Sequence, residues 1–290
     1  MKEKRIAIIG ASSFVGSYIY NSLGEYISLA TYYSHSFIGG QYFDAKTMDI
    51  NNLFKKNKIT HAIVVFAEPD VDKCKLNLIQ SYELNVSSTK KIIDACLLCD
   101  IKPLFLSSEY VFNGEKGLYS ESDNAVPNTC YGSQKVDVEN YLINSKTSSY
   151  SILRLAKVYG TNPNDKSIFS SWGTQIINNH IIKCAVDQYF SPVNVSFVAE
   201  VVKKVIDYDL SGIYHVAGSS HVSRYELLTM FRNSCNLKFD IQKIQLSEMS
   251  FIDNRPLNLT LLTDKIVFDT GLIHNDLQFD IKQFNKSFFN

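Results

Sequence analysis

The sequence has no charge excess: Lys+Arg and Asp+Glu are both 29, for a formal net charge of zero over 290 residues. A nucleic-acid surface carries a basic excess or stripe, so nucleic acid is not an expected partner. Long apolar runs are also missing. No stretch nears the roughly 18 residues of a membrane-spanning helix, so no membrane association is expected. The apolar run after Met1-Lys-Glu-Lys-Arg5 ends after Ile6–Ile9 at Gly10, which is too short for the apolar core of a signal peptide. Metal-ligand sets are absent too. The six cysteines stand apart at 74, 96, 99, 130, 184 and 235. Cys96 and Cys99 form a C-x-x-C inside a predicted helix, and no second Cys or His pair completes a metal set. Buried free thiols, no metal and a cytoplasmic location are expected. Neither an internal repeat nor a low-complexity tract interrupts the chain.

What is present is an alternation of short apolar runs and helical stretches. Ile6–Ile9 reads as a buried parallel strand, and Phe14, Val15, Tyr18, Ile19 and Leu23 follow at helical spacing. Further strands are expected at Ile27–Tyr33, Tyr42–Phe43, Ala62–Phe66, Pro103–Leu106, Ser151–Leu155 and Ile213–Val216. Helices are expected at Met48–Phe54, Phe197–Ile206 and Tyr225–Phe231, with one long helix within Lys73–Cys99. Another spans Tyr131–Ile143, capped by Asn128 or Thr129. Such alternation predicts an α/β fold, a Rossmann-type doubly wound parallel sheet with a smaller C-terminal substrate lobe. After Gly160 the turn-rich Asn162-Pro-Asn-Asp165 marks a break. We expect residues 1–160 to form the dinucleotide domain, with a segment near 193–217 returning to it, and 161–290 to form mainly the substrate lobe.

Gly10-Ala-Ser-Ser-Phe-Val-Gly16 joins the first strand to the first helix. Dinucleotide-binding folds use the first glycine of such a turn to bend sharply and the last to pack helix and strand closely. The helix N-terminus then offers free N–H groups to the pyrophosphate. Ser13 occupies the place of the middle glycine, so it either tolerates the phosphate's approach or contacts it. The expected contacts are Gly10, Ser12, Ser13, Phe14, Val15 and Gly16. At the end of the second strand, Tyr32-Tyr-Ser-His-Ser36 lacks the carboxylate that holds an adenosine ribose diol. Ser34 and His35 suit a 2′-phosphate instead, which favours NADP over NAD. Asp44 suits the adenine amino group.

Tyr131-Gly-Ser-Gln-Lys135 places a phenol and an ammonium one helical turn apart. A close ammonium stabilises phenolate and lowers the tyrosine pKa, fitting Tyr131 for proton transfer to a carbonyl oxygen. A hydroxyl pair, Ser107-Ser108, lies upstream.

Together these residues resemble the extended short-chain dehydrogenase/reductase superfamily, and within it most closely the dTDP-4-dehydrorhamnose reductase family. The resemblance covers nearly the whole chain. It rests on Gly10–Gly16, Asp70-Val-Asp-Lys-Cys74, Asn85-Val86, Ser107-Ser-Glu-Tyr-Val-Phe112 with Gly114, and Tyr131–Lys135. Arg154 with Val158-Tyr-Gly160, Asp187-Gln188, Ser191-Pro192, Tyr214–Gly218, Ser223-Arg224 and Arg255-Pro256 continue it. It implies NAD(P)H-dependent reduction of the C4 ketone of a nucleotide-linked 4-keto-6-deoxysugar. Tyr131 would supply the proton, Lys135 would hold the nicotinamide ribose, and Ser108 would hydrogen-bond the carbonyl. Ala67 and Asn85 are expected to join the cofactor contacts, and Glu109, Tyr110 and Lys157 the substrate contacts. Helices near Lys73–Cys99 and Tyr131–Ile143 form a two-fold interface in many such reductases, so a homodimer is expected; Leu84, Ile93, Val138 and Leu142 serve either that interface or the core.

Two departures bear on substrate. Glu109 stands where the rhamnose enzymes usually carry Asp, and Lys157 where they often carry Trp. Glu109-Tyr110 lacks the acid–base pair of the 4,6-dehydratases, which leaves simple reduction as the leading expectation. The alternatives are 4-epimerisation and a non-catalytic NAD(P)-binding regulatory subunit, like that of methionine adenosyltransferase.

Overall fold

The computed structural model describes residues 3–289 except Lys146, Ser148 and Asn236; Met1 and Lys2 of the short run before Ile6 lie outside the described residues. Seven parallel strands form the central sheet. Across it they run Gly212–Val216, Ser151–Leu155, Lys102–Ser108, His61–Val64, Ile6–Ile9, Ile27–Tyr32 and Gln41–Tyr42. The strand order reverses beside Ile6–Ile9, which opens a crevice at the C-terminal ends of the strands, where α/β folds bind ligands.

Alternation along the first strand divides the two faces. Ile6 and Ile8 pack with Ile19 and Leu23 of the helix Phe14–Leu23 and with the apolar face of the helix Val195–Asp207. Ala7 and Ile9 point the other way. They meet Phe54 of Asn51–Lys56, Ile92 and Ile93 of Thr89–Leu98, and Val138 and Leu142 of Cys130–Ile143. Ile93, Val138 and Leu142 are therefore core residues, and Leu84 is half-buried.

The segment expected as one long helix is corrected. Asp70 caps its start by accepting from the Lys73 N–H at 3.0 Å, and helical structure begins at Val71. It breaks at Asn77, whose φ of −114° and ψ of 54° lie outside the helical region. A helical piece Leu78–Tyr82 leads into a widened π-type turn, Glu83–Ser88, and then Thr89–Leu98. Inserting an extra residue in such a turn shifts the helix face, and here it turns the Asn85 side chain inward.

Residues beyond Gly160 build a second apolar core around Phe169, Trp172, Phe231 and Phe284. Strand pairs too short to register as periodic patterns brace it, such as Ile182–Ala185 with Ile241–Ile244. The strand Gly212–Val216 nevertheless lies at the edge of the central sheet, in register with Ser151–Leu155.

Candidate active site

The glycine turn is built as close contacts demand. Gly10 has φ of +98°, and a Cβ there would lie 2.9 Å from Phe66. A Cβ on Gly16 would lie 2.4 Å from the Gly10 carbonyl oxygen, so a side chain would force the helix off the turn. Ser13 has a structural use beyond the turn itself. Its hydroxyl donates to the Gly10 carbonyl at 2.8 Å and accepts from the Gly16 N–H at 3.1 Å, capping the helix. The Ser17 N–H bonds the Ser13 carbonyl. Of the first-turn donors, those of Phe14 and Val15 have no intrahelical acceptor and face the crevice end of the helix.

Ser34 and His35 are exposed beyond the second strand, with Ser34 Oγ 2.8 Å from His35 Nδ1. Asp44 is committed to its own turn: Oδ1 accepts from the Lys46 N–H and Oδ2 from the Thr47 hydroxyl, both at 2.9 Å. Asn85 is likewise hydrogen-bonded within the protein. Its Oδ1 accepts from the Glu68 N–H at 2.8 Å, and its Nδ2 donates to the Glu68 carbonyl at 3.1 Å and to Gln134 Oε1 at 2.7 Å. The amide thus clamps the loop that carries Ala67 at the end of strand His61–Val64.

Ser108, Tyr131 and Lys135 come together. Thr129 caps the helix Cys130–Ile143 by accepting from the Gly132 N–H at 3.0 Å, which places Tyr131 in its first turn. A Cβ on Gly132 would lie 2.0 Å from the Tyr110 carbonyl oxygen. Only glycine there lets the segment after Ser108 lie against the helix beside Tyr131. The Tyr110 and Tyr131 rings meet edge to face at 5.9 Å. Lys135 lies one turn on; its ammonium donates to the Leu106 carbonyl at 2.9 Å and sits 5.7 Å from the Tyr131 ring centroid.

The electrostatics correct one expectation. Burial pushes the Tyr131 phenol well above its ordinary value, while the nearby Ser108 hydroxyl pulls the other way. Burial also lowers Lys135 to about 8, against the pull of Glu139. The phenol is therefore the stable form in this arrangement, not the phenolate. A phenol is the form that donates a proton.

Glu109 and Lys157 follow the neighbouring strands Lys102–Ser108 and Ser151–Leu155 at their C-terminal ends. Glu109 is buried, with Oε2 lacking a hydrogen-bond partner. Burial pushes its carboxyl up to about 8, although Lys157 favours the ionised form. The two side chains make no ion pair within 4.0 Å; Lys157 acts on Glu109 through its charge and its backbone N–H. Arg224 and Arg255 add positive charge around Lys157 and Tyr110. Arg224 is set by the capping box of Ser223 and Glu226; Arg255 is anchored on Asp72 at 2.9 Å. Both arginines stand within the sequence motifs named above, where no local pattern assigns them a role. Among the described residues no cluster of three or more His, Cys, Asp or Glu could hold a metal ion, and no helix is long and apolar enough to cross a membrane.

The chain matches the family described as RmlD substrate binding domain over residues 4–289. It is 26% identical to a dTDP-4-dehydrorhamnose reductase of Aggregatibacter actinomycetemcomitans, across 96% of this chain and 97% of that protein. It is 24% identical to the methionine adenosyltransferase 2 subunit beta of Rattus norvegicus, but over only 53% of this chain and 48% of that one. In fold it is similar to the crystal structure of a dTDP-4-dehydrorhamnose reductase from Bacillus anthracis in complex with NADP, with a TM-score of 0.84, 21% identity, and coverage of 97% and 98% of the two chains. Because the family match runs through both the sheet and the second core, the chain as a whole belongs to the RmlD substrate-binding-domain family.

Proposed function

We propose that this protein uses a nicotinamide dinucleotide to reduce the C4 ketone of a nucleotide-linked 4-keto-6-deoxysugar. The observation that carries the reading is the meeting of Ser108, Tyr131 and Lys135 at the C-terminal end of strand Lys102–Ser108, on the same edge of the parallel sheet as the Gly10–Gly16 turn. The residues present fit the cofactor: the tight turn leaves backbone N–H groups of Phe14 and Val15 for a pyrophosphate. When bound, the nicotinamide supplies the hydrogen and electron pair that reduce the carbonyl carbon.

The chain's own residues do the rest. Ser108 hydrogen-bonds the carbonyl oxygen and places it at Tyr131. The Tyr131 phenol, kept protonated by burial, gives its proton to that oxygen. The Lys135 cation offsets the charge left on the phenolate. Glu109 and Tyr110 flank the sugar, and the positive charge of Lys157, Arg224 and Arg255 suits the diphosphate. The first 160 residues, with 193–217, serve the cofactor, and the rest of 161–290 serves the sugar nucleotide.

Ser34 and His35, with no carboxylate at the end of the second strand, support NADPH over NADH. Fluorescence titration of both cofactors tests this: NADPH is expected to bind at least as tightly, and a strong NADH preference would overturn it. Single-turnover NADPH oxidation with a dTDP-4-keto-6-deoxysugar tests the reaction; cofactor binding without turnover would favour a regulatory role. We also propose a homodimer through the Val71–Leu98 region, where Leu76, Leu78 and Ile79 are exposed apolar residues. Light scattering that shows a monomer at micromolar concentration would count against it.

A further inference from the structure

Tyr131 and Lys135 share their helix face with a third residue that the reaction above does not use. Glu139 lies one more turn along, at the same four-residue spacing, and is 1% exposed. Its carboxylate is gripped on two sides. Arg154 donates from Nη2 to Oε2 at 2.7 Å and from Nε to Oε1 at 3.1 Å. Ser107, the residue before Ser108, donates its hydroxyl to Oε1 at 2.5 Å. In the sheet Ser107, Arg154 and His215 are register partners on three adjacent strands, so Glu139 caps a polar row crossing the sheet. Arg154 Nη1 lies 3.5 Å from His215 Nε2 at the far end of that row.

A buried ion pair is weak support for stability alone, because desolvating both charges offsets their attraction. Its place here suggests another use. We propose that Glu139 is a positioning residue for the reduction: locked by Arg154 and Ser107, its carboxylate keeps Lys135 cationic and holds the helix of Tyr131 against the strand end that carries Ser108. This inference rests on the reductase reading for its catalytic consequence only.

The groups facing Lys135 single out Glu139. From strand Lys102–Ser108 come the Leu106 carbonyl and the Phe105 ring, whose centroid is 4.7 Å from the ammonium. From helix Val71–Leu76 comes the Cys74 thiol, which burial pushes up to about 11 and keeps neutral; Glu68 acts on that thiol. From its own helix come Tyr131, also held neutral by burial, and Glu139. Glu109 acts on Tyr131 from the other side and is itself pushed up to about 8. His215, beyond Arg154, is driven down to about 3 by burial and then by Arg154, and stays neutral. Glu139 is thus the main group opposing the desolvation that lowers Lys135 to about 8. Removing its charge lowers the Lys135 pKa further, so the cation is lost at lower pH. Removing Arg154 leaves the carboxylate unshared and raises it.

The test is an NMR titration of the 15N-lysine-labelled whole protein without substrate, with the Lys135 signal identified by its loss in Lys135→Met. Glu139→Gln should move the Lys135 midpoint down by about one unit, and Arg154→Met should move it up. The charge-neutral double variant Glu139→Gln/Arg154→Met should fall between the singles and below wild type, and decides the matter if a single variant does not fold. The alkaline limb of kcat for NADPH oxidation should follow the same order, with about tenfold in rate per unit above the limb. A purely structural role predicts losses in the same direction for both singles with an unmoved Lys135 midpoint, and that result overturns the proposal. If wild type turns over no dTDP-4-keto-6-deoxysugar, the reductase reading fails while the NMR titration still decides the role of Glu139.

Discussion

Replacing Ser13 by Gly separates a structural hydroxyl from a phosphate-binding one. The Ser13 Oγ spends its donor on the Gly10 carbonyl and an acceptor lone pair on the Gly16 N–H. Glycine at an N-cap costs only a few tenths of a kcal/mol relative to serine. The backbone at Ser13, with φ of −72° and ψ of 164°, needs no glycine, so the added freedom of the unfolded chain costs roughly 0.4–1 kcal/mol. The total is about 1 kcal/mol, or a Tm lower by roughly 1–2 °C for a chain of 290 residues. Cofactor affinity responds differently. Losing the hydroxyl frees the Gly16 N–H, which then adds a donor for an anion at the helix start. Fluorescence titration of NADPH against wild type and Ser13→Gly should therefore show binding unchanged within about threefold or tighter. Were the hydroxyl bonding a phosphate, its removal would cost about 1.5–3 kcal/mol, roughly tenfold to a hundredfold in Kd. Weakening of that size in a variant that melts within a few degrees of wild type would refute the capping assignment.

Other substitutions probe the remaining parts of the site. Tyr131→Phe should lower the single-turnover rate by ~10²–10⁴-fold with cofactor affinity nearly intact, since the ring still packs; a near wild-type rate would remove the phenol from the mechanism. Lys157→Ala should reduce kcat/KM by roughly tenfold or more without changing NADPH affinity, and unaltered kinetics would leave Lys157 without a role in sugar binding. Gly132→Ala, whose Cβ would lie 2.0 Å from the Tyr110 carbonyl, should cost about 1–3 kcal/mol in chemical denaturation and depress kcat by separating Tyr131 from Ser108; wild-type stability and rate together would contradict that contact.

Elements with a strong local signal were legible in the sequence. Ile6–Ile9, Phe14–Leu23 and Ser151–Leu155 fold with the expected bounds, because their apolar period or run length is unambiguous and Gly10 and Ser13 mark the turn between the first two. Within residues 71–98 the apolar spacing reads as continuous, but the break at Asn77 and the widened turn at Glu83–Ser88 come with the buried contacts among Asn85, Gln134 and Ser81. Those partners lie far apart in the chain, so no local pattern announces them. The pairing of Tyr131 with Lys135 was visible as a spacing. Its charge state was not, since desolvation depends on what Phe105, Leu106 and Cys74 place around it. Glu139 and Arg154 were invisible as a pair for the same reason: their contact spans a helix and a strand.

The strand Gly212–Val216 that completes the sheet has a consequence for synthesis. At roughly 5–20 residues per second, a ribosome needs about 3–12 s to pass from the end of Ser151–Leu155 to the end of its partner. During that interval the nascent chain already contains the nucleotide turn and six of the seven strands. The outer row of N–H and C=O groups on Ser151–Leu155 then has no neighbour, and an unpaired parallel edge is a template for another chain on the same polysome. The later segment therefore covers an edge that the earlier one leaves open. A polypeptide ended after Gly160 would retain the whole glycine turn yet associate through that bare edge.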